Sequence, residues 1–198
     1  MANTDRAFGM IPVRHLNGSP YNGPLRMYLF EASNAVYLGD PVELTGTAGA
    51  AGIYVNGVNC EGMPTADVAE AGDTLILGVV VAFLPLQTDQ TVLHKLANST
   101  RRIGLVVDQP DVVYEIQEDS DGAATAAVDV GENADFIYAA GNATTGISGV
   151  MLDSSTHVTT TANLRILGLV RRPDNAIGNQ AKWEVYINEH AFRTTTGV

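Results

Sequence analysis

The chain has 198 residues, enough for one large β domain or two small ones. Its formal net charge is -11, so it is expected to repel nucleic acid, whose capture rests on Lys and Arg. Hydrophobic residues make up 45% and charged ones 17%: ample core, and a thinly charged surface that partners are expected to cover in part.

Residues 1–26 differ from the rest. Pro12, Pro20 and Pro24 remove backbone donors, and Asn17-Gly18 and Asn22-Gly23 supply turns. Apolar residues such as Phe8, Met10, Ile11 and Tyr21 are scattered without helical or strand period. Arg6, Arg14 and Arg26 face a single acid, Asp5. The segment reads as an extended, basic N-terminal arm laid along a surface, its own or a neighbour's. The opening Met1 to Arg6 has no basic region followed by an apolar run, so no signal peptide is expected.

From residue 27 the signals are for strands. Met27 to Phe30 is a short apolar run, and Gly39-Asp40-Pro41 is a turn before the alternation of Val42-Glu43-Leu44. Gly46 to Gly52 reads as a loop. Ile53-Tyr-Val55, Asn56-Gly57 and Val58 form the clearest hairpin, because Asn-Gly suits the type I′ turn. Cys60, the lone cysteine, excludes an internal disulfide and reads as a small buried residue. Residues 59–74 look like loop. Leu75 to Leu84 is apolar throughout, bounded by Gly72-Asp73 and Pro85, and fits a strand buried on both faces, with a bend at Gly78. No apolar stretch approaches ~18 residues, so no membrane-spanning helix is expected.

In the second half, Ile103 to Val107 is a strand. Asp111 to Glu118 alternates, with Val112, Tyr114 and Ile116 on one face. Asp119-Ser-Asp-Gly122 is a turn from which Thr125 to Val130 is expected to pair back. Phe136 to Tyr138, Val150 to Leu152, Leu164 to Val170 and Trp183 to Asn188 are further strands. Helix is expected only near Ala66 to Ala71 or Thr88 to Ala97, under ~15% in all. Roughly ten short strands with frequent turns predict an all-β barrel or jelly-roll-like sandwich. The body, residues 27–198, divides into two β units, if at all, near 86–101. Arg102-Ile-Gly-Leu-Val-Val echoes Arg165-Ile-Leu-Gly-Leu-Val, most simply because strands share a grammar.

Little chemistry is legible. His15, His94, His157 and His190 are far apart, with no metal-binding spacing, and His190 reads as an exposed or half-buried strand end. There is no Gly-x-Ser-x-Gly and no phosphate loop. Glu115, Glu118, Asp119 and Asp121 cluster, but Asp119-Ser-Asp121-Gly122 is an incomplete calcium loop without the distal Glu and reads as a solvated hairpin tip. No catalytic residue, metal or cofactor is expected. The pairs Arg101-Arg102 and Arg171-Arg172 are expected to meet carboxylates of a partner or of this chain.

Several stretches together resemble structural proteins that tailed bacteriophages encode beside the major capsid protein. They are Ala2 to Arg6, Arg14 to Gly18, Tyr21 to Gly23, Gly39 to Val42, Leu77 to Val80, Gly146 to Gly149, Leu152 to Ser155, Leu164 to Gly168, Pro173 to Asn175 and Trp183 to Asn188. None of these motifs is catalytic. The resemblance implies a capsid decoration, or cement, protein. Such a protein is made in the bacterial cytoplasm and sits on the outer surface of the virion as a homotrimer or homodimer. It would bind the major capsid protein across joints between capsomers, with no cofactor, nucleic acid or membrane involved. On that expectation the arm docks on the capsid through Phe8 and Tyr21, while Arg6, Arg14 and Arg26 meet capsid acids. The alternatives are an arm wrapped on its own or a sister subunit, a carbohydrate- or receptor-binding β module, and a hydrolase built from remote carboxylates.

Overall fold

A computed structural model describes residues 3–70, 75–88, 90–97, 101–195 and 197. In chain order the strands are β1 (Ile11–His15), β2 (Arg26–Phe30), β3 (Pro41–Ala48), β4 (Tyr54–Val55), β5 (Val58–Asn59), β6 (Pro64–Val68) and β7 (Gly78–Phe83). They continue with β8 (Arg102–Val107), β9 (Val112–Gln117), β10 (Asn133–Ala134), β11 (Phe136–Ile137), β12 (Met151–Leu152), β13 (Leu164–Leu169) and β14 (Lys182–Ile187). The fold is all-β. Among the described residues the only helical element is one 3₁₀ turn, Ala127–Asp129, where a returning hairpin strand was expected.

Two β assemblies share one core. Strands β2-β6-β3-β7-β8 close a five-stranded barrel, and β1-β9-β14-β13-β10 form an antiparallel sheet. The barrel is antiparallel except where β2 and β6 close it in parallel through Leu29 and Thr65. Its interior holds Tyr28, Phe30, Val42, Val80 and Val106. The larger core lies between barrel and sheet. It combines Ile76, Val79 and Val107 with Tyr114, Ile116, Ile166, Trp183 and Val185. A small cluster, Leu29, Val55, Cys60 and Ile103, is packed with residues of the β4–β5 hairpin.

This arrangement explains why the central strands are apolar without alternating. In β7, Val80 and Phe83 belong to the barrel interior while Val79 belongs to the shared core. Both faces are largely covered, with only Val81 and Ala82 half-buried, so period two disappears. Gly78 opens β7 with φ 159°, and a Cβ there would lie 2.0 Å from the Val107 carbonyl oxygen, so no other residue fits. The Asn56-Gly57 turn has φ of 50° and 79°, as a type I′ hairpin requires.

Several expectations are corrected. Ala66 lies in β6, not in a helix or loop, and the described part of 88–97 is turn and bridge. The helix at Ala66 to Ala71 and the bounding Gly72-Asp73 turn reach outside the described residues. Strand β3 runs on to Ala48 into the expected loop. The division between β assemblies falls between Val107 and Val112, not near 86–101. The echoing segments are β8 and β13, strands of different sheets with different neighbours, so shared strand grammar accounts for them.

The N-terminal segment is the largest correction. Residues 11–15 are strand β1, paired antiparallel with β9 at the edge of the sheet. Pro12 and a register shift between Pro12 and Arg14 hide the strand period. Residues 19–21 fold back on β1 through an Arg14–Pro20 bridge, which blunts this edge against further pairing.

Candidate functional site

The outer face of β9 carries Glu115 and Gln117, both buried although they point away from the core. Residues 3–10 cover them. Gln117 Oε1 accepts from the Arg6 amide at 2.8 Å, and its Nε2 donates to the Thr4 carbonyl at 2.7 Å. Asn3 Nδ2 donates to the carbonyls of Ala176 and Asn179. Gly9, at φ 71°, comes so near Gly39 that a Cβ would sit 2.5 Å from its carbonyl oxygen. Next to it the Met10 amide donates to the same carbonyl at 2.8 Å, and the Met10 side chain enters the shared core.

The covering leaves two adjoining grooves that share Phe8, Ile11 and Ile147. One, of 360 Å³, is almost wholly apolar and is walled by Met10, Pro12, Leu38 and Val81. The other, of 520 Å³, is charged: Arg6, Glu115, Arg172, Asp174 and Lys182 line it. Arg172 grips Glu115 with two nitrogens, at 2.6 and 3.2 Å, the bidentate geometry that makes such pairs strong. Asp174 sits within 3.7 Å of Arg172 and 3.8 Å of Lys182.

The five residues singled out from sequence do not form one surface. Arg6 is exposed in the charged groove and Phe8 is half-buried between the grooves. Arg14 is paired with Glu184 at 2.5 Å, and Arg26 with Asp108 at 3.3 Å while lying over the Phe192 ring. Tyr21 packs on the shared core and donates its hydroxyl to the Pro24 carbonyl. The acids met by Arg14 and Arg26 thus belong to this chain. Arg101 likewise pairs with Glu31. Arg102 does not meet a carboxylate. It is buried, stacks over Phe83, and donates to the carbonyls of Leu84, Val92 and His94.

The acid cluster is not a solvated tip. Glu118 is buried and accepts from the Trp183 indole N–H at 2.7 Å and the Thr125 amide at 3.2 Å. Its carboxyl is held above the usual range by burial, against the pull of those donors. Asp119 is buried as well, and only Asp121 is exposed. His190 is buried, and burial, helped by Arg193, lowers it to about 4. Asp40 is buried, and burial raises it to about 6 against hydrogen bonds from Ser148 and the Tyr37 amide.

One constellation could not be read from sequence. Thr125 Oγ1 lies 3.0 Å from His157 Nε2, and His157 Nδ1 lies 3.7 Å from Asp129. The order hydroxyl, imidazole, carboxylate imitates a nucleophile with its base. Thr125 is fully buried, however, and none of the grooves described here touches it. The contact pins the 3₁₀ turn to the loop carrying His157. Cys60 is buried in the small cluster under the β4–β5 hairpin, away from any histidine contact described.

Comparison with protein-family models, with curated proteins and with solved structures finds no match for this chain.

Proposed function

We propose that this protein is a non-enzymatic adhesion protein that decorates the outer surface of a bacteriophage head and stabilises joints between capsomers. The observation that carries the adhesion half of this reading is the paired groove at Phe8 and Ile11, apolar on one side and charged on the other. A clip across a protein joint needs buried apolar area for affinity and complementary charge for register. Ile11 is 46% exposed at the groove rim, and Arg6 is an exposed residue of the charged groove's wall. The capsid half rests on the resemblance of the sequence to proteins encoded beside major capsid proteins. The docking residues are then Arg6, Phe8 and Ile11. Arg14, Tyr21 and Arg26 hold the N-terminal segment on its own body.

The test is co-sedimentation with empty expanded heads, comparing the parent chain with Arg6→Glu and Ile11→Glu. Both substituted side chains are solvent-facing, so folding is retained, and binding is expected to fall at least 10-fold, a loss of about 1.4 kcal/mol. Undiminished binding by the double variant, or no binding by the parent, overturns the reading.

A glycan-binding role has one observation in its favour. Tyr54 is 64% exposed at the rim of a 490 Å³ groove lined also by Asn56, Gln87 and Arg101, an aromatic platform beside hydrogen-bonding groups. A glycan array with Tyr54→Ala as control separates the two readings.

A further inference from the structure

Two stretches far apart in sequence meet at the end of β9. Asp119-Ser-Asp121-Gly122 follows β9, and Asp153-Ser154-Ser155 follows β12. The Asp119 amide donates to the Leu152 carbonyl at 3.0 Å, beside a parallel bridge between Glu118 and Leu152. Gly122 packs so tightly on the second stretch that a Cβ would lie 3.1 Å from Ser155 Cα. The loops are therefore held in fixed relation before any ligand arrives.

One carboxylate oxygen each from Asp119, Asp121 and Asp153 lies within 4.8 Å of the others. Two of these carboxylates are pinned by one oxygen and keep another spare. Asp119 Oδ1 accepts from the Ser154 amide at 3.1 Å and hydroxyl at 2.6 Å. Asp153 Oδ1 accepts from the Ser155 amide at 2.8 Å and hydroxyl at 2.6 Å. Asp119 as a residue is only 4% exposed, yet its Oδ2 is buried without a hydrogen-bond partner. A desolvated oxygen left in this way is costly, because it has lost water and gained nothing in return. The groove lined by Asp119 and Asp121 is also walled by Gln180, whose Oε1 is a second buried oxygen without a partner. Acceptors converge here with no donor among the described residues to meet Asp119 Oδ2. A cation supplies what is missing.

We propose that Asp119, Asp121 and Asp153 bind one calcium ion. The donors are hard oxygens, and no His or Cys joins the three ligands, which disfavours zinc and softer metals. Calcium takes such an all-oxygen set in flexible geometry at about 2.3–2.6 Å, whereas magnesium demands a near-ideal octahedron and gives up its water reluctantly. Asp121 and the open groove leave room for water to complete the shell. The incomplete calcium loop of the sequence is thus completed by a carboxylate from another strand connection instead of by a distal Glu. The ion clips the end of β9 to the loop after β12, and this role does not depend on what the Phe8 grooves bind.

With three carboxylates on an open site, a dissociation constant of about 10⁻⁴–10⁻³ M is expected. Calorimetric titration of chelator-treated full-length chain with calcium chloride should give one ion per chain. The melting temperature should rise by roughly 3–8 °C between EGTA and 5 mM calcium. Asp121→Asn and Asp153→Asn should each weaken binding at least 10-fold. In EGTA, Asp121→Asn should melt no lower than the parent, because it relieves like-charge repulsion; that result keeps loss of binding distinct from loss of fold. A parent chain with equal melting temperatures in EGTA and calcium overturns the site. So does a calcium response that survives in both variants, and an equal response to magnesium overturns the assignment to calcium.

Discussion

Burial sets the chemistry of the single residues here, and two of them pull stability in opposite directions with pH. Asp40 is raised from 3.8 to about 6, so its contribution to stability is fully present below pH 4 and is lost as pH rises through 6. His190 is lowered from 6.5 to about 4, so its contribution is present above pH 6.5 and is lost as pH falls toward 4. Each shift corresponds to about 3 kcal/mol across that window. Asp40→Asn should therefore gain on the parent between pH 4 and 7, and His190→Gln should gain on it from pH 7 down to 4. Denaturant titrations at several pH values read both slopes, and parallel curves for parent and variants would contradict the assignment. Arg102 acts differently: one guanidinium satisfies three carbonyls of the segment between β7 and β8. Arg102→Ala should cost about 3 kcal/mol, since the buried His94 carbonyl and the part-buried carbonyls of Leu84 and Val92 each lose a charged donor. Limited proteolysis should then cut near residues 84–95 faster than in the parent.

At the scale of elements, β1 decides how the N-terminal segment behaves. It is a strand of the sheet, not a detachable arm, and Met10 just before it is 1% exposed in the shared core. Met10→Ala should cost about 2–4 kcal/mol, whereas Ile11→Ser, at an exposed position, should cost about 0.5 kcal/mol or less. Equal effects in denaturant unfolding would mean that β1 is not docked as described. Truncating residues 2–24 is accordingly a poor test of binding, because it removes a sheet strand and a core side chain together. Gly78 makes a similar point for β7: the strand approaches the Val107 carbonyl so closely that Gly78→Ala forces the two apart.

At the scale of the molecule, barrel and sheet are joined by the core that both contribute to. Val79 and Val107 of the barrel pack in one cluster with Tyr114 and Trp183 of the sheet. Trp183 is the only tryptophan, so its fluorescence reports the sheet, while circular dichroism reports all strands. The two probes should unfold in one coincident transition. A separate, earlier fluorescence transition would mean that the sheet is a domain of its own. The homotrimer or homodimer that the resemblance implies is checked by the mass of the purified protein in light scattering.

Local chemistry made part of this structure legible. Asn56-Gly57 specifies its turn through the positive φ of two adjacent residues. Trp183, Val185 and Ile187 alternate because one face of β14 meets the core, and Val112 to Gln117 was bounded almost to the residue. What escaped the sequence depends on partners far along the chain. Glu118 and Asp119 look like solvent-facing acids until Trp183, 65 residues away, and Ser154, 35 away, supply their donors. The strand nature of residues 11–15 is concealed by Pro12 and becomes evident only in pairing with β9. The sequence by itself determined the all-β class and most strand positions, since those follow from side-chain period and turn residues. Tertiary structure alone decided which polar groups are buried, which grooves are open and which three carboxylates meet, because each of these depends on groups that only folding brings within a few ångströms.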